Sequence, residues 1–192
     1  MKRFVALYRQ LDETKKTGVK VAALQEYFRG VTAAEGAWAI YFLCGRRLKR
    51  LILSRNLQAW CCEAAAVPEW LFEECRETVG DMAETMALLL KPAVSAPDVS
   101  LDRWLSEVLL PLRELDEPRQ RELLLKSWSE LTAEERLVFN KLVTGEFRIG
   151  VSQGLVVRAL SELSGLTTQA IAHRLMGTWE PTPAFSDALL SA

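Results

Sequence analysis

Apolar residues recur at the spacing of an amphipathic helix through most of the chain. The pattern covers residues 4–11, 21–28, 69–79, 81–90, 101–112, 121–128 and 155–163. In each segment it places the apolar side chains on one helix face. Alternation of apolar and polar residues, which would indicate β-strands, is absent over any useful length. The sequence therefore predicts an all-α fold.

The helical pattern occurs twice, at an offset of 100 residues, so that Thr32, Ala33, Glu35 and Gly45 recur as Thr132, Ala133, Glu135 and Gly145. In each copy, Thr-x-x-Glu predicts a capping box at the start of a helix. The glycine that follows about three turns later predicts a left-handed residue at the helix end. We therefore expect one domain of two pseudosymmetric half-repeats, residues 1–90 and 101–192. A linker with two prolines, residues 91–100, would join them.

Composition and charge narrow the class of protein. The chain has 192 residues, of which 49% are hydrophobic and 26% charged, a composition that favours a folded domain over disorder. Its 24 basic and 25 acidic residues give a net charge of −1. A surface that binds a polyanion would therefore require the basic residues to cluster apart from the acidic ones. No window approaches a membrane span. We predict a cytoplasmic protein that does not contact membranes.

Two loops combine a glycine, basic residues and a serine before the next predicted helix. Acidic residues are absent from 36–62 and from 147–161. If each serine caps its helix, the helix start offers amides and a partial positive charge to a phosphate. Arginines beside a helix end are also common as solvated surface. The candidate phosphate-binding residues are Lys141, Thr144, Gly145, Arg148, Gly150, Ser152 and Gln153 in the second half, and Gly45, Arg46, Arg47, Lys49, Arg50, Ser54 and Arg55 in the first.

Motifs for catalysis or metal binding are missing from the sequence. The four cysteines form no C-x-x-C pair and His173 is the single histidine, so a zinc site of ordinary spacing cannot be assembled. We interpret the cysteines as buried free thiols of a reducing compartment. Asp81 and Glu84 are expected in the first turn of a helix rather than as a catalytic pair. We predict no catalytic residue in this chain.

Several segments resemble the DNA-binding domain of ATP-dependent DNA ligases, in particular their bacterial branch. The residues that carry the resemblance are Phe139-Asn-Lys-Leu-Val-Thr-Gly-Glu-Phe-Arg-Ile-Gly-Val-Ser152, Val79-Gly-Asp-Met-Ala-Glu84, Ala172-His-Arg-Leu-Met-Gly-Thr-Trp-Glu-Pro-Thr-Pro183, Gly45-Arg-Arg and the helix from Phe4 to Arg9. Together they cover essentially the whole chain.

This resemblance implies an all-helical domain that lies along the minor groove of a nicked duplex. Gly145, Arg148, Gly150 and Ser152 match the family's groove-contacting loop, whereas the first-half loop is matched mainly to the bacterial branch. The implied partners are nicked double-stranded DNA and the catalytic domains of the same ligase, which would use ATP and a divalent metal. The implied processes are DNA repair, replication or recombination.

The active-site motif Lys-x-Asp-Gly of these ligases is absent from the sequence. We therefore expect this chain to hold no cofactor and to be inactive alone. Two alternatives stay open: a sequence-specific regulator of helix-turn-helix type, and a helical adaptor that binds another protein.

Overall fold

The structure, a computed structural model, describes residues 1–95 and 98–191. Within these residues it contains twelve α-helices and no strand, which confirms the predicted all-α class. The helices are α1 (Lys2–Glu13), α2 (Thr17–Gly30), α3 (Ala33–Leu43), α4 (Ser54–Ala65), α5 (Glu69–Val79), α6 (Met82–Leu89), α7 (Leu101–Trp104), α8 (Glu117–Glu130), α9 (Ala133–Thr144), α10 (Gln153–Ser164), α11 (Thr168–Arg174) and α12 (Pro183–Leu190). A π-helical turn, Leu105–Leu109, and a 3₁₀ turn, Pro111–Arg113, follow α7.

The predicted helix starts and ends are present in both copies, but the predicted capping box is complete only at α9 and not at α3. At α9, Thr132 and Glu135 form a complete capping box. At α3, the Thr32 hydroxyl accepts a hydrogen bond from the Glu35 amide. The Glu35 carboxylate there accepts a hydrogen bond from the Tyr27 hydroxyl at 3.3 Å. Gly45 and Gly145 have φ angles of 80° and 73°, which confirms the predicted left-handed residues.

The chain divides into two compact units, and each draws on both ends of the sequence. The first unit comprises Met1 with residues 48–99 and 103–147, and the second comprises residues 2–47, 100–102 and 148–192. Each unit therefore combines helices from both predicted half-repeats. The half-repeats and their single domain stay a prediction.

In the first unit, α6 packs along α9, and α4 contacts α5, α6 and α8. Its buried core includes Leu57, Phe72, Met86 and Phe139. A polar link crosses this core at Asn140, whose Oδ1 accepts a hydrogen bond from the Trp128 indole at 2.8 Å. The Asn140 amide group donates to the Ala83 carbonyl at 3.2 Å. Because buried polar groups require partners, this link helps to fix the register of α6 on α9.

In the second unit, α10 packs against α2, α12 packs against α3, and α1 lies along α2. Phe4, Leu24, Ile40, Leu160 and Ile171 are buried at the centre of this unit. The Gln25 side chain donates to the Glu162 carboxylate at 2.7 Å and joins the exposed edges of α2 and α10. Helix α2 thus forms the support on which α10 is held.

The predicted linker has no regular secondary structure over 91–95 and 98–100. Pro97, the second of its two prolines, lies outside the described residues.

Candidate nucleic-acid interface

Four of the predicted residues lie at the start of α10, in the second unit: Arg148, Gly150, Ser152 and Gln153. Arg148 is exposed, whereas Ile149 beside it is buried and anchors the backbone. Gly150 has a φ of 60°, a left-handed conformation that glycine adopts without strain. Ser152 caps α10 and accepts a hydrogen bond from the Leu155 amide at 3.4 Å, as predicted. Because Ser152 engages Leu155, the earlier amide of Gln153 stays available to an anion at the helix start.

Lys20, which sequence reasoning did not single out, supports this loop from α2. Its side chain is only 7% exposed, and its Nζ donates to the Gly150 carbonyl at 2.8 Å. The same Nζ lies 3.4 Å from the position of a Cβ built on Gly150. Lys20 therefore holds the loop backbone by a charge-assisted hydrogen bond and fills the space beside the glycine. Its position four residues before Leu24, in an apolar stripe, is the signal that could have identified it.

The end of α3, also in the second unit, places its arginines differently. Arg47 is exposed. The Arg46 guanidinium lies 4.4 Å from the ring centre of Trp179 and donates to the Gly177 carbonyl. Trp179 in turn stacks on Phe185, with ring centres 4.3 Å apart. Arg46 is thus engaged by the C-terminal segment through a cation–π contact, which leaves it less available to DNA.

The start of α4, in the first unit, presents a basic edge. Lys49, Arg50 and Arg55 are exposed, whereas Leu51 and Ile52 are buried and hold the segment. The prediction that Ser54 caps this helix is wrong, since Leu53 is the N-cap and makes no side-chain cap bond. Ser54 is instead the first residue of the helix and is exposed.

The end of α9, also in the first unit, contains the least accessible candidates. Lys141 is 7% exposed, and its Nζ contacts the Asp81 carboxylate at 2.8 Å. Burial opposes ionisation of Asp81, but the hydrogen bond from Lys141 holds the pKa of this carboxyl below its ordinary value. Asp81 is the N-cap of α6, just before the first turn in which it was expected, whereas Glu84 lies in that first turn as predicted. The Thr144 hydroxyl donates to the Asn140 carbonyl at 3.0 Å, so both Lys141 and Thr144 have partners within the fold.

The cysteines are free, and Cys61 and Cys62 are buried. Burial raises the pKa of Cys44 and of Cys61 to about 12. Cys44 and Cys75 are half-buried, so the interpretation of the cysteines as buried thiols is right for Cys61 and Cys62 only. No group of three His, Cys, Asp or Glu side chains that could hold a metal is found in 1–95 and 98–191. In the same part of the chain, no helix is long and apolar enough to span a membrane.

Comparison with known proteins agrees with the resemblance. The family model for the DNA ligase N terminus matches residues 1–161, which include both basic loops. A search of the curated proteins gave no match. Because the family model covers most of the chain, the chain belongs to the DNA ligase N-terminal family. Its role is that of the DNA-binding domain of an ATP-dependent DNA ligase.

Proposed function

We propose that this chain binds nicked duplex DNA along the minor groove without sequence preference. In this proposal it holds the duplex for the catalytic domains of the same ligase, which would use ATP and a divalent metal. Nick sealing in repair, replication or recombination would be the parent function. The observation that carries the proposal is the start of α10, where an exposed arginine, a left-handed glycine and a capped helix N-terminus follow one another.

The chemistry of these residues suits phosphates rather than base edges. A ligase must accept any sequence at a nick, so contacts to the DNA backbone should dominate its affinity. Gly150 has no side chain, so a phosphate can approach the loop backbone closely. The Arg148 guanidinium offers a planar, permanently charged pair of donors. On the first unit, Lys49, Arg50 and Arg55 would attract the duplex as a diffuse positive edge.

The regulator alternative requires a helix that presents a polar face to base edges. Helix α10 becomes apolar directly after Gln153, and its residues Val156 and Val157 are buried. On its exposed side, Arg158 pairs with Glu162 at 2.8 Å. An ion pair with a carboxylate on this face disfavours insertion of α10 into a groove.

Arg148→Ala is the substitution that tests the proposal. If the wild-type chain neutralises about 5 phosphates, its log affinity should fall against log salt with a slope of about −4 to −5. Arg148→Ala should weaken binding by ~1–2 kcal/mol and make the slope shallower by about 1, because one charge-assisted phosphate contact is lost. Arg46→Ala should cost less, since Trp179 and Gly177 already engage that guanidinium. Fluorescence anisotropy of a labelled nicked duplex over a salt series measures both quantities.

Arg29→Ala is the matched control, because Arg29 is an exposed arginine in the last turn of α2 in the same unit. It should leave affinity within experimental error. A flat salt response of the wild type, or a strong preference for one duplex sequence, would contradict the proposal. Equal losses from Arg148→Ala and Arg29→Ala would move the site away from the α10 start.

Lys20→Met should weaken DNA binding by a different route. The buried ammonium does not reach solvent, so we expect affinity to fall by roughly threefold to tenfold through loss of loop order. The salt slope should stay that of the wild type, because no phosphate contact is removed. Lys20→Arg, which keeps a donor for the Gly150 carbonyl, should restore part of the affinity.

Lys16→Met is the control for Lys20→Met, since Lys16 lies one turn earlier on the same helix end and is exposed. It removes the same charge without touching Gly150. If Lys20→Met makes the slope shallower by about 1, Lys20 contacts a phosphate directly and is not a positioning residue.

A further inference from the structure

The first unit carries an apolar groove between α5 and α6 that the DNA-binding role does not use. The groove has a volume of about 290 Å³. It is lined by Glu74, Cys75, Thr78 and Val79 from α5 and by Thr85, Leu88 and Leu89 from α6. Leu88 is 67% exposed at its edge. A leucine this exposed beside an apolar cleft is typical of a surface that another molecule covers.

A tryptophan extends this surface along α5. Trp70 is 66% exposed and lies one turn before Glu74, on the side of α5 that faces the groove. Trp104 and Trp128 of the same unit are buried, whereas Trp70 is not. Exposed tryptophans are enriched among residues that dominate protein–protein binding energy.

Helix α5, which forms one wall of the groove, is strongly acidic, and its Glu74 lines the groove. Helix α5 contains four glutamates, Glu69, Glu73, Glu74 and Glu77, and a single basic residue, Arg76. Arg76 is paired with Glu73 at 2.7 Å, so its charge is already neutralised. The remaining carboxylates repel the DNA backbone and anionic lipid headgroups alike.

A second copy of this chain is also a poor occupant. A twofold contact would place the same patch of both copies face to face, and the glutamates would then repel one another. The favoured occupant has an apolar stripe for Leu88, Leu89 and Val79 and basic residues for the acidic wall that α5 forms. Lysine or arginine side chains of such an occupant could also stack on Trp70.

We propose that the α5–α6 groove docks a basic amphipathic helix of a partner protein. The helix lays its apolar stripe between α5 and α6, as in other helix-in-groove complexes, while its lysines and arginines are attracted by Glu74 and by the net negative charge of α5. This surface is built from residues separate from the candidate DNA contacts.

The test uses the 192-residue chain and three synthetic peptides. The first peptide has leucines at positions i, i+3, i+4 and i+7 of a helix and lysines elsewhere. The second replaces its lysines with glutamates, and the third has the composition of the first in scrambled order. We expect the first peptide to bind at least about tenfold more tightly than either of the others. Bound peptide should also slow alkylation of Cys75 by iodoacetamide, because Cys75 lines the groove.

Leu88→Lys and Glu74→Lys should each weaken binding of the first peptide by about tenfold, since both residues are exposed and contribute to the docking surface. Met176→Lys is the matched control, because Met176 is a 71% exposed apolar residue of the second unit. It should bind the peptide like the wild type. Circular dichroism should show all three variants folded.

Four results would overturn the proposal. Equal binding of the scrambled peptide would show diffuse charge attraction in place of a helix-shaped site. Unchanged binding by Leu88→Lys, or an unchanged alkylation rate of Cys75, would place the peptide elsewhere. Self-association of the chain that Leu88→Lys abolishes, seen by sedimentation, would assign the groove to a second copy.

Discussion

Replacing Arg136 with alanine should lower the free energy of unfolding by about 3–5 kcal/mol. The Arg136 side chain is fully buried in the first unit. Its guanidinium donates to the carbonyls of Leu90, Lys91 and Leu131 at 2.7, 2.7 and 3.1 Å. Truncation removes this donor from the Leu90 and Lys91 carbonyls and opens a cavity beside α9, while the Leu131 carbonyl keeps the hydrogen bond from the Ala93 amide. Urea denaturation followed by circular dichroism measures the loss.

Arg136→Met separates the two causes. Methionine fills much of the space but donates no hydrogen bond, so the difference between the alanine and methionine variants reports the cavity. The loss of stability that remains in Arg136→Met measures the contribution of the hydrogen bonds to the carbonyls. Arg113→Ala, at an exposed arginine of the same unit, should change stability by at most about 0.5 kcal/mol. A methionine variant as stable as the wild type would show that the carbonyl bonds contribute no net stability.

Arg136 also bears on how the chain is organised. Leu90 and Lys91 mark the place where the predicted first half-repeat ends and the linker begins. The Arg136 guanidinium therefore connects the start of the predicted linker to α9 of the second predicted half-repeat by hydrogen bonds. Burial lowers the pKa of this group from its ordinary value.

Local helix signals could be predicted from the sequence because they depend on residues within one turn. Thr132 and Ser152 cap their helices as predicted, and each accepts a hydrogen bond from the amide three residues later. Ser54 shows where such signals fail. The buried residues Leu51 and Ile52 set the position at which the chain can turn into α4, and the helix begins one residue before a serine cap would allow.

Long-range partners could not be predicted, since periodicity identifies a buried face but not the element that covers it. Lys20 and Gly150 are 130 residues apart, and Lys141 lies 60 residues from Asp81. Arg46 was a candidate DNA contact, and its partner Gly177 is 131 residues away. The distribution of charge along the sequence thus identifies basic loops. Only the fold shows which of the basic side chains already have partners within the protein.

The two compact units illustrate the same limit. The repeat at an offset of 100 residues suggests units of consecutive helices. The second unit instead joins α1–α3 with α10–α12, and the first joins α4–α6 with α8 and α9. Within them, α12 packs on α3 and α6 packs on α9, so equivalent helices of the proposed repeats make equivalent contacts. These pairings support the duplication hypothesis, although no periodicity could have indicated an exchange of helices between halves.

Gly150 matters both for the backbone conformation at the start of α10 and for the phosphate contact proposed there. Its φ of 60° lies in the left-handed region, which costs a residue with a side chain about 1–2 kcal/mol and a β-branched residue more. A Cβ at this position would lie 3.4 Å from Lys20 Nζ, the donor that holds the Gly150 carbonyl. The left-handed backbone therefore disfavours a larger side chain at this position, and such a side chain would also cover the surface proposed to meet a phosphate.

Gly150→Val should accordingly reduce affinity for a nicked duplex by about tenfold or more. Gly165→Val is the matched control, because Gly165 ends α10 with a φ of 76° and has no atom within 4 Å of a built Cβ. Both variants carry the same kind of backbone strain, so both should lose about 1–2 kcal/mol of stability in urea. Only Gly150→Val should lose DNA affinity in anisotropy titrations at fixed salt. Equal affinity of the two variants would show that the α10 start does not meet DNA.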